Sequence, residues 1–323
     1  MTGAPATETV PVIDMADTPA AVEAAVARAC ADWGFFHLVG HGLDQDLIGS
    51  AIGEARTFFA APIAAKRALA RNRDNPWGYN DRELTKNRRD KKQIFDIGPD
   101  AAALKVAGDV FSGATPFPDW QPGLRPAMRA WFDACEGLCL RLLRPVATGL
   151  GADRDALVGD FDGVHTSFLR LNHYPLDDLL ADEGAESAGL GIHHHTDAGA
   201  LTILLTDGKA GLQVLKDGSW RPVDPVPGGL IVNIGDMAQV WSNDAYRAPL
   251  HQVLAMEDHE RLSLAYFFNP AYPAVIRPLA STLGPQAPSR YREIPWSEFR
   301  RRRADGDFAD YGAEVQISDY RAG

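Results

Sequence analysis

His193-His194-His195-Thr196-Asp197, followed by Ala200-Leu201-Thr202-Ile203-Leu204-Leu205-Thr206, sets a polar cluster directly before an apolar, β-branched run. On an extended chain residues i and i+2 face the same side, so His195 and Asp197 can aim at one point. The run from Ala200 to Thr206 reads as a buried strand. Similar short runs lie at Val164 to Leu171, Leu212 to Leu215, Gly229 to Ile234, His251 to Ala255 and Leu262 to Phe268. Turns such as Asp207-Gly208 and Asp217-Gly218 separate them. The pattern predicts a mainly β fold, a sandwich or barrel, with helices packed outside.

Those helices come from the first half of the chain. Val22, Val26 and Cys30 recur at helical spacing between Ala20 and Trp33, after a short strand at Val10 to Asp14. Trp33-Gly34-Phe35-Phe36-His37-Leu38-Val39 reads as a buried strand, and Asp46 to Leu69 as a helix broken at Pro62. Pro126 to Leu150 carries Met128, Trp131, Cys135, Leu138, Leu142 and Val146 every three or four residues. The tail is helical again from Tyr291. No internal repeat or low-complexity linker interrupts the chain. One domain over 1–323 is expected, with an N-terminal part (1–160), a strand-rich core (161–270) and a C-terminal extension (271–323).

Composition narrows the partners. The 323 residues are 46% hydrophobic and 23% charged, an ordinary soluble balance. A formal net charge of -11 argues against nucleic acid or an anionic membrane as partner. No apolar stretch approaches the ~20 residues a membrane helix needs. Three cysteines (Cys30, Cys135, Cys139) cannot all pair, and no secretory leader is visible at Met1 to Pro11. A cytoplasmic location is expected.

His251 follows 54 residues after Asp197. Brought beside His195 and Asp197, it completes two histidines and one carboxylate on one face of an octahedron. Such a triad leaves three positions open for co-substrate and O₂, unlike a closed structural zinc site. An isolated His-x-Asp pair equally fits a polar surface strand. Arg261 and Ser263 strengthen the metal reading, because they share a strand face and offer a planar fork and a hydroxyl for a carboxylate. A structural salt bridge is the plain alternative for Arg261. His37, His41 and His173 read as structural histidines, Cys135 and Cys139 as small core residues, and Arg300 to Arg303 as a solvated helix face.

These residues together resemble the isopenicillin N synthase-like branch of the 2-oxoglutarate/Fe(II)-dependent oxygenases, nearly end to end. His195-Thr196-Asp197 and His251 are similar to its metal ligands, and Arg261-Leu262-Ser263 to its signature for the distal carboxylate of 2-oxoglutarate. Arg170-Leu171-Asn172-His173-Tyr174-Pro175 resembles the strand whose Asn and Tyr, here Asn172 and Tyr174, sit near the co-substrate. Trp33-Gly34-Phe35-Phe36, Gly40-His41-Gly42, Trp77-Gly78-Tyr79, Phe95-Asp96-Ile97-Gly98, Gly235-Asp236 and Trp241-Ser242-Asn243 look like its other landmarks, the last two as the turn before the distal His. The resemblance implies a double-stranded β-helix (jelly roll, cupin-like). It also implies Fe(II) and 2-oxoglutarate, with O₂ and a small-molecule metabolite as partners. Oxidative decarboxylation to succinate and CO₂ would then accompany hydroxylation, desaturation or ring closure.

Two departures bear on the substrate. Asp90-Lys91-Lys92-Gln93 stands where relatives commonly carry Lys-Glu, and His193 and His194 where many have small or apolar residues. Neither His193 nor His194 is expected to ligate iron; His193 is expected in the substrate pocket with Tyr79, Phe267 and Arg88. From Arg82 to Lys92, six basic residues against Glu83 and Asp90 give a local charge of +4. That stretch is read either as a solvated loop or as a clamp for a substrate anion. Two other activities remain open: an Fe(II) oxidase or cyclase of the same scaffold that does not use 2-oxoglutarate, and a zinc hydrolase built on His193-x-His195-x-Asp197. The second lacks its usual next histidine, since residue 198 is alanine. A catalytically silent metal-binding barrel is a third reading, and the intact ligand set argues against it.

Overall fold

Arg261–Phe268 alternates without a break. Leu262, Leu264, Tyr266 and Phe268 enter the main hydrophobic core, while Arg261, Ser263, Ala265 and Phe267 line a cavity on the other face. The same division holds along Phe168–Tyr174, Leu201–Thr206 and Leu230–Ile234, so there one face packs on the core and the other is left for chemistry. These features come from a computed structural model that describes residues 9–72, 74–85, 88–99, 113–163, 165–180, 189–308 and 315–323. Lys86 of the basic stretch and Val164 of the first core strand lie outside the described residues.

In chain order the strands of the first half are β1 (Val12–Asp14), β2 (Phe35–Val39), β3 (Gly78–Asn80), β4 (Leu84–Thr85), β5 (Arg88–Arg89) and β6 (Gln93–Ile97). Those of the core are β7 (Phe168–Tyr174), β8 (Leu190–His195), β9 (Leu201–Thr206), β10 (Leu212–Lys216), β11 (Ser219–Pro222), β12 (Leu230–Ile234), β13 (His251–Leu254) and β14 (Arg261–Phe268). The major sheet has eight strands in the order β1-β2-β12-β9-β14-β7-β6-β3. The minor sheet has four, β11-β10-β13-β8. The two sheets enclose the cavity, as in a double-stranded β-helix. The N-terminal residues supply four of the eight major strands, β1, β2, β3 and β6, so they extend the barrel as well as cover it.

Helices α1 (Pro19–Asp32), α2 (Gln45–Ala60), α3 (Ile63–Arg67) and α4 (Leu124–Gly149) cover the outer face. Asp44 caps α2 by accepting the Asp46 N–H at 2.9 Å, and Pro62 separates α2 from α3. In α4, Met128, Trp131, Cys135, Leu138, Cys139, Leu142 and Val146 form one buried face, and both cysteines are free thiols. Burial pushes those thiols up, away from reactivity. The turn expected between Gly235 and Asn243 is instead a short helix, α5 (Asp236–Trp241). Six residues are too few to show a 3.6-residue period in sequence. The C-terminal helix is α6 (Trp296–Phe308). Among the described residues no helix is long and apolar enough to cross a membrane.

Candidate metal and co-substrate site

His251 and His195 are direct partners across β13 and β8. The next pair in register is Val253 with Ile192, so β8 carries one extra residue, a bulge, at His193-His194. The bulge breaks the two-residue alternation. Ile192 and His195 both line the cavity, and His193 is turned behind it. Asp197 Oδ1 lies 3.8 Å from His195 Nε2 and 3.6 Å from His251 Nε2. All three donors fall within 4.8 Å of one another, close enough to share one ion.

Each donor is prepared for a cation. His195 Nδ1–H donates to the His193 carbonyl at 2.7 Å and His251 Nδ1–H to the Pro249 carbonyl at 3.1 Å, which leaves both Nε2 lone pairs free. Burial, and the nearby His251, push the His195 imidazole down to about 3, so it stays neutral. The Asp197 oxygens divide their work. Oδ2 accepts from Thr202 Oγ1 at 2.5 Å and Asn233 Nδ2 at 2.7 Å, and Oδ1 faces the histidines. Burial would raise this carboxyl, but the two histidines and these bonds hold it below its usual value. The loop itself is pinned from outside: Asp236 N–H donates to the Asp197 carbonyl at 2.7 Å, and Arg303 Nη2 to the Thr196 carbonyl at 2.8 Å. Gly235 permits this approach, since a Cβ there would sit 2.3 Å from the Gly199 carbonyl oxygen.

Along the same cavity lie Arg261, Ser263, Asn172 and Tyr174. Register pairs Arg261 with Tyr174 and Ser263 with Asn172. The Arg261 guanidinium sits 5.0 Å from the Tyr174 ring centroid and is 1% exposed. Arg261 Nη1, Ser263 Oγ and Asn172 Oδ1 are buried and make no hydrogen bond within the described protein. Unmet buried groups cost about 1–3 kcal/mol each, more for a charge, so their convergence marks a place for a polar ligand rather than a source of stability. A dicarboxylate that meets the guanidinium and the hydroxyl fits this donor set.

The cavity, about 180 Å³, is also lined by Phe168, Phe267, Trp296, Arg300 and Arg303. Phe267 is among its lining residues, stacked on Phe168 at 4.6 Å. Three other expected pocket residues are not. His193 is 2% exposed and its ring is bonded to Asp90, because the bulge turns it away. Tyr79 points into the helix-side core: its hydroxyl donates to Gln93 Oε1 at 2.7 Å and its ring lies 6.4 Å from that of Phe58. Arg88 is exposed on β5 and does not line the cavity. Arg89 is engaged with Asp178, and among the described basic residues of that stretch only Lys92 reaches the cavity wall. His194 is exposed beside Trp220.

Arg300 and Arg303, read from sequence as solvated, are 5% and 6% exposed and line the cavity. The missed signal is the spacing Trp296, Phe299, Arg300, Arg303, one face of a helix hidden inside a run of four arginines. Glu83 and Arg170 were missed as well. Arg170 Nη1 meets Glu83 at 2.9 Å and Arg170 Nε meets Asp96 at 2.7 Å, with Arg71 on Glu83 at 2.6 Å. Burial alone would raise the Glu83 carboxyl, but Arg170, Arg71 and Lys92 outweigh it and hold it at about 2.

Comparison with known proteins gives the same answer as the geometry. Residues 165–270 match the 2OG-Fe(II) oxygenase superfamily, and residues 10–119 match the non-haem dioxygenase N-terminal family described from morphine synthesis. The chain is 36% identical over 281 residues to gibberellin 20 oxidase 2 of Oryza sativa, covering 86% of this chain and 69% of that one. It is 33% identical to jasmonate-induced oxygenase 4 of Arabidopsis thaliana, covering 90% and 81%. The crystal structure of JOX2 in complex with 2OG, Fe and JA superposes with a TM-score of 0.81 at 28% identity, covering 98% of this chain and 90% of that one. A matching fold, a His-Asp-His centre and similarity over most of the chain leave one family: this chain belongs to the 2OG-Fe(II) oxygenase superfamily, as a non-haem Fe(II)- and 2-oxoglutarate-dependent dioxygenase of small molecules.

Proposed function

We propose that His195, Asp197 and His251 hold the iron, that Arg261, Ser263, Asn172 and Tyr174 seat 2-oxoglutarate, and that the oxidised substrate is a small, largely apolar organic acid. The observation that carries the substrate class is the lining of the cavity. Five cationic side chains (Lys92, Arg170, Arg261, Arg300, Arg303) face it against two carboxylates, Glu83 and Asp197. Lys92, Arg170 and Arg303 also meet Asp90, Asp96 and Asp236 behind the wall, and Arg261 and Arg300 add two further guanidinium groups to it, which favours an anionic guest. Arg300 lies in the same wall and would meet the substrate's carboxylate, while Arg261 takes the co-substrate. Phe168, Phe267 and Trp296 offer an apolar wall for the rest of the molecule. JOX2, which shares this scaffold, crystallises in complex with 2OG, Fe and JA. The three free, buried thiols suit a reducing, cytoplasmic setting.

Bound Fe(II) supplies the oxidative chemistry, in which O₂ and 2-oxoglutarate are consumed and succinate, CO₂ and oxidised substrate are released. The side chains do the rest. The Thr202 and Asn233 bonds keep Asp197 ionised and aimed. The Arg261 fork fixes one end of the co-substrate, and the sheet faces keep bulk water from the reacting centre.

A panel of organic acids and their uncharged amides, assayed for 2-oxoglutarate-dependent succinate release, tests the substrate class. Arg300→Ala is expected to raise KM for an accepted acid about 10- to 150-fold, equivalent to a charged hydrogen bond of about 1.5–3 kcal/mol, with the constant for 2-oxoglutarate unchanged. Arg88→Ala, at an exposed position of β5, is expected to leave both constants alone. Amides turned over as well as acids would exclude the organic-acid reading.

A further inference from the structure

Two peculiarities of this sequence meet behind the metal site. Asp90 belongs to the basic stretch and His193 to the histidine cluster, and both are buried against each other. Asp90 Oδ1 accepts the backbone N–H of His193 at 3.1 Å and its ring Nδ1–H at 2.9 Å. The carbonyl of that same His193 accepts the Nδ1–H of His195 at 2.7 Å. From the cavity side, Thr85 Oγ1 donates to Asp90 Oδ2 at 2.8 Å and Lys92 Nζ lies 3.1 Å from it. Thr85 and Lys92 both line the cavity. The Asp90 N–H donates to the Glu83 carbonyl at 3.0 Å, so the carboxylate is tied to the β4–β5 hairpin.

A ligating histidine keeps Nε2 on the ion only while the partner of its Nδ1–H is fixed, and outer partners of this kind commonly matter 10- to 100-fold. Here the partner is a peptide carbonyl inside a bulge, where the regular ladder is interrupted. The sheet alone does not hold that peptide. Asp90 restrains it twice, through main chain and side chain. Stability gives little reason for a fully buried carboxylate there, because well-packed apolar groups replace buried ion pairs at little or no cost.

We propose that Asp90 is a positioning residue for the iron centre: it locks the His193 peptide so that its carbonyl keeps His195 on the ion, and it links that lock to Thr85 and Lys92 in the cavity wall. The link gives the substrate side of the cavity a mechanical hold on one iron ligand. It rests on His195 being a ligand, as proposed above.

The test is a titration of metal-free full-length protein with Co(II) alone, following the visible absorption that reports coordination geometry. Asp90→Asn is expected to bind Co(II) at least about tenfold more weakly and with an altered spectrum. Thr85→Val should shift both in the same direction by a smaller factor, and Asp90→Glu should recover part of the loss. Circular dichroism and thermal unfolding establish that each variant is folded. If Asp90→Asn does not fold, Thr85→Val decides the matter by itself. Wild-type affinity and spectrum in the folded variants overturn the proposal. His195→Ala is the control: if it too binds Co(II) normally, the ligand assignment has failed rather than the positioning role.

Discussion

Asp197→Ala protein is expected to purify without iron and to release no succinate above background. Asp197 is the one anionic donor of the three, and its second oxygen is already committed to Thr202 and Asn233. Removing it leaves two neutral imidazoles facing a dication. It also strands two buried donors that had a carboxylate to meet. Loss of an outer-shell partner alone costs roughly 10- to 100-fold in metal affinity, so loss of the carboxylate itself should exceed about 100-fold. Metal analysis of the purified protein and a succinate assay decide it. Iron content and turnover near wild type would remove Asp197 from the ligand set.

Arg261→Ala should act on a different constant. The guanidinium is 1% exposed, rests on the Tyr174 ring, and keeps Nη1 unbonded within the described protein. Truncating one member of a desolvated charge pair costs on the order of 2–5 kcal/mol. The apparent constant for 2-oxoglutarate should therefore rise at least roughly 30-fold, while metal content stays high. Arg261→Lys keeps the charge but loses the planar fork, so its constant should fall between the two. An unchanged constant in Arg261→Ala would mean that the co-substrate is held elsewhere.

The barrel core was legible because its strands alternate and its turns carry Gly and Asp. β9, β12 and β14 fall within a residue or so of their expected ends. The candidate metal and co-substrate residues stood out for a related reason: His, Asp, Arg and Ser occupy cavity-facing positions where a plain sandwich would place apolar ones. The substrate end was not. β3, β4 and β5 are two or three residues long, and their pairing depends on tertiary partners rather than on local pattern. His193 was misplaced because a single inserted residue in β8 reverses the alternation, and a bulge leaves no mark in sequence without its partner strand. Arg300 and Arg303 were lost within a run of four arginines, although Trp296 and Phe299 had already set the buried face.

The position of β2 in the major sheet has a consequence for how the chain reaches this fold. β2 is bonded to β1 on one side and to β12 on the other, so Phe35–Val39 must wait for Leu230–Ile234. β6 likewise pairs with β7, some seventy residues further along. Pairings this distant in sequence carry a large loop-closure cost before they return any contact, and they slow folding. During synthesis the first half therefore emerges with unsatisfied strand edges and an apolar helix face while its partners are still untranslated. Such a chain leaves edges and apolar surface open to wrong pairings until β12 to β14 arrive.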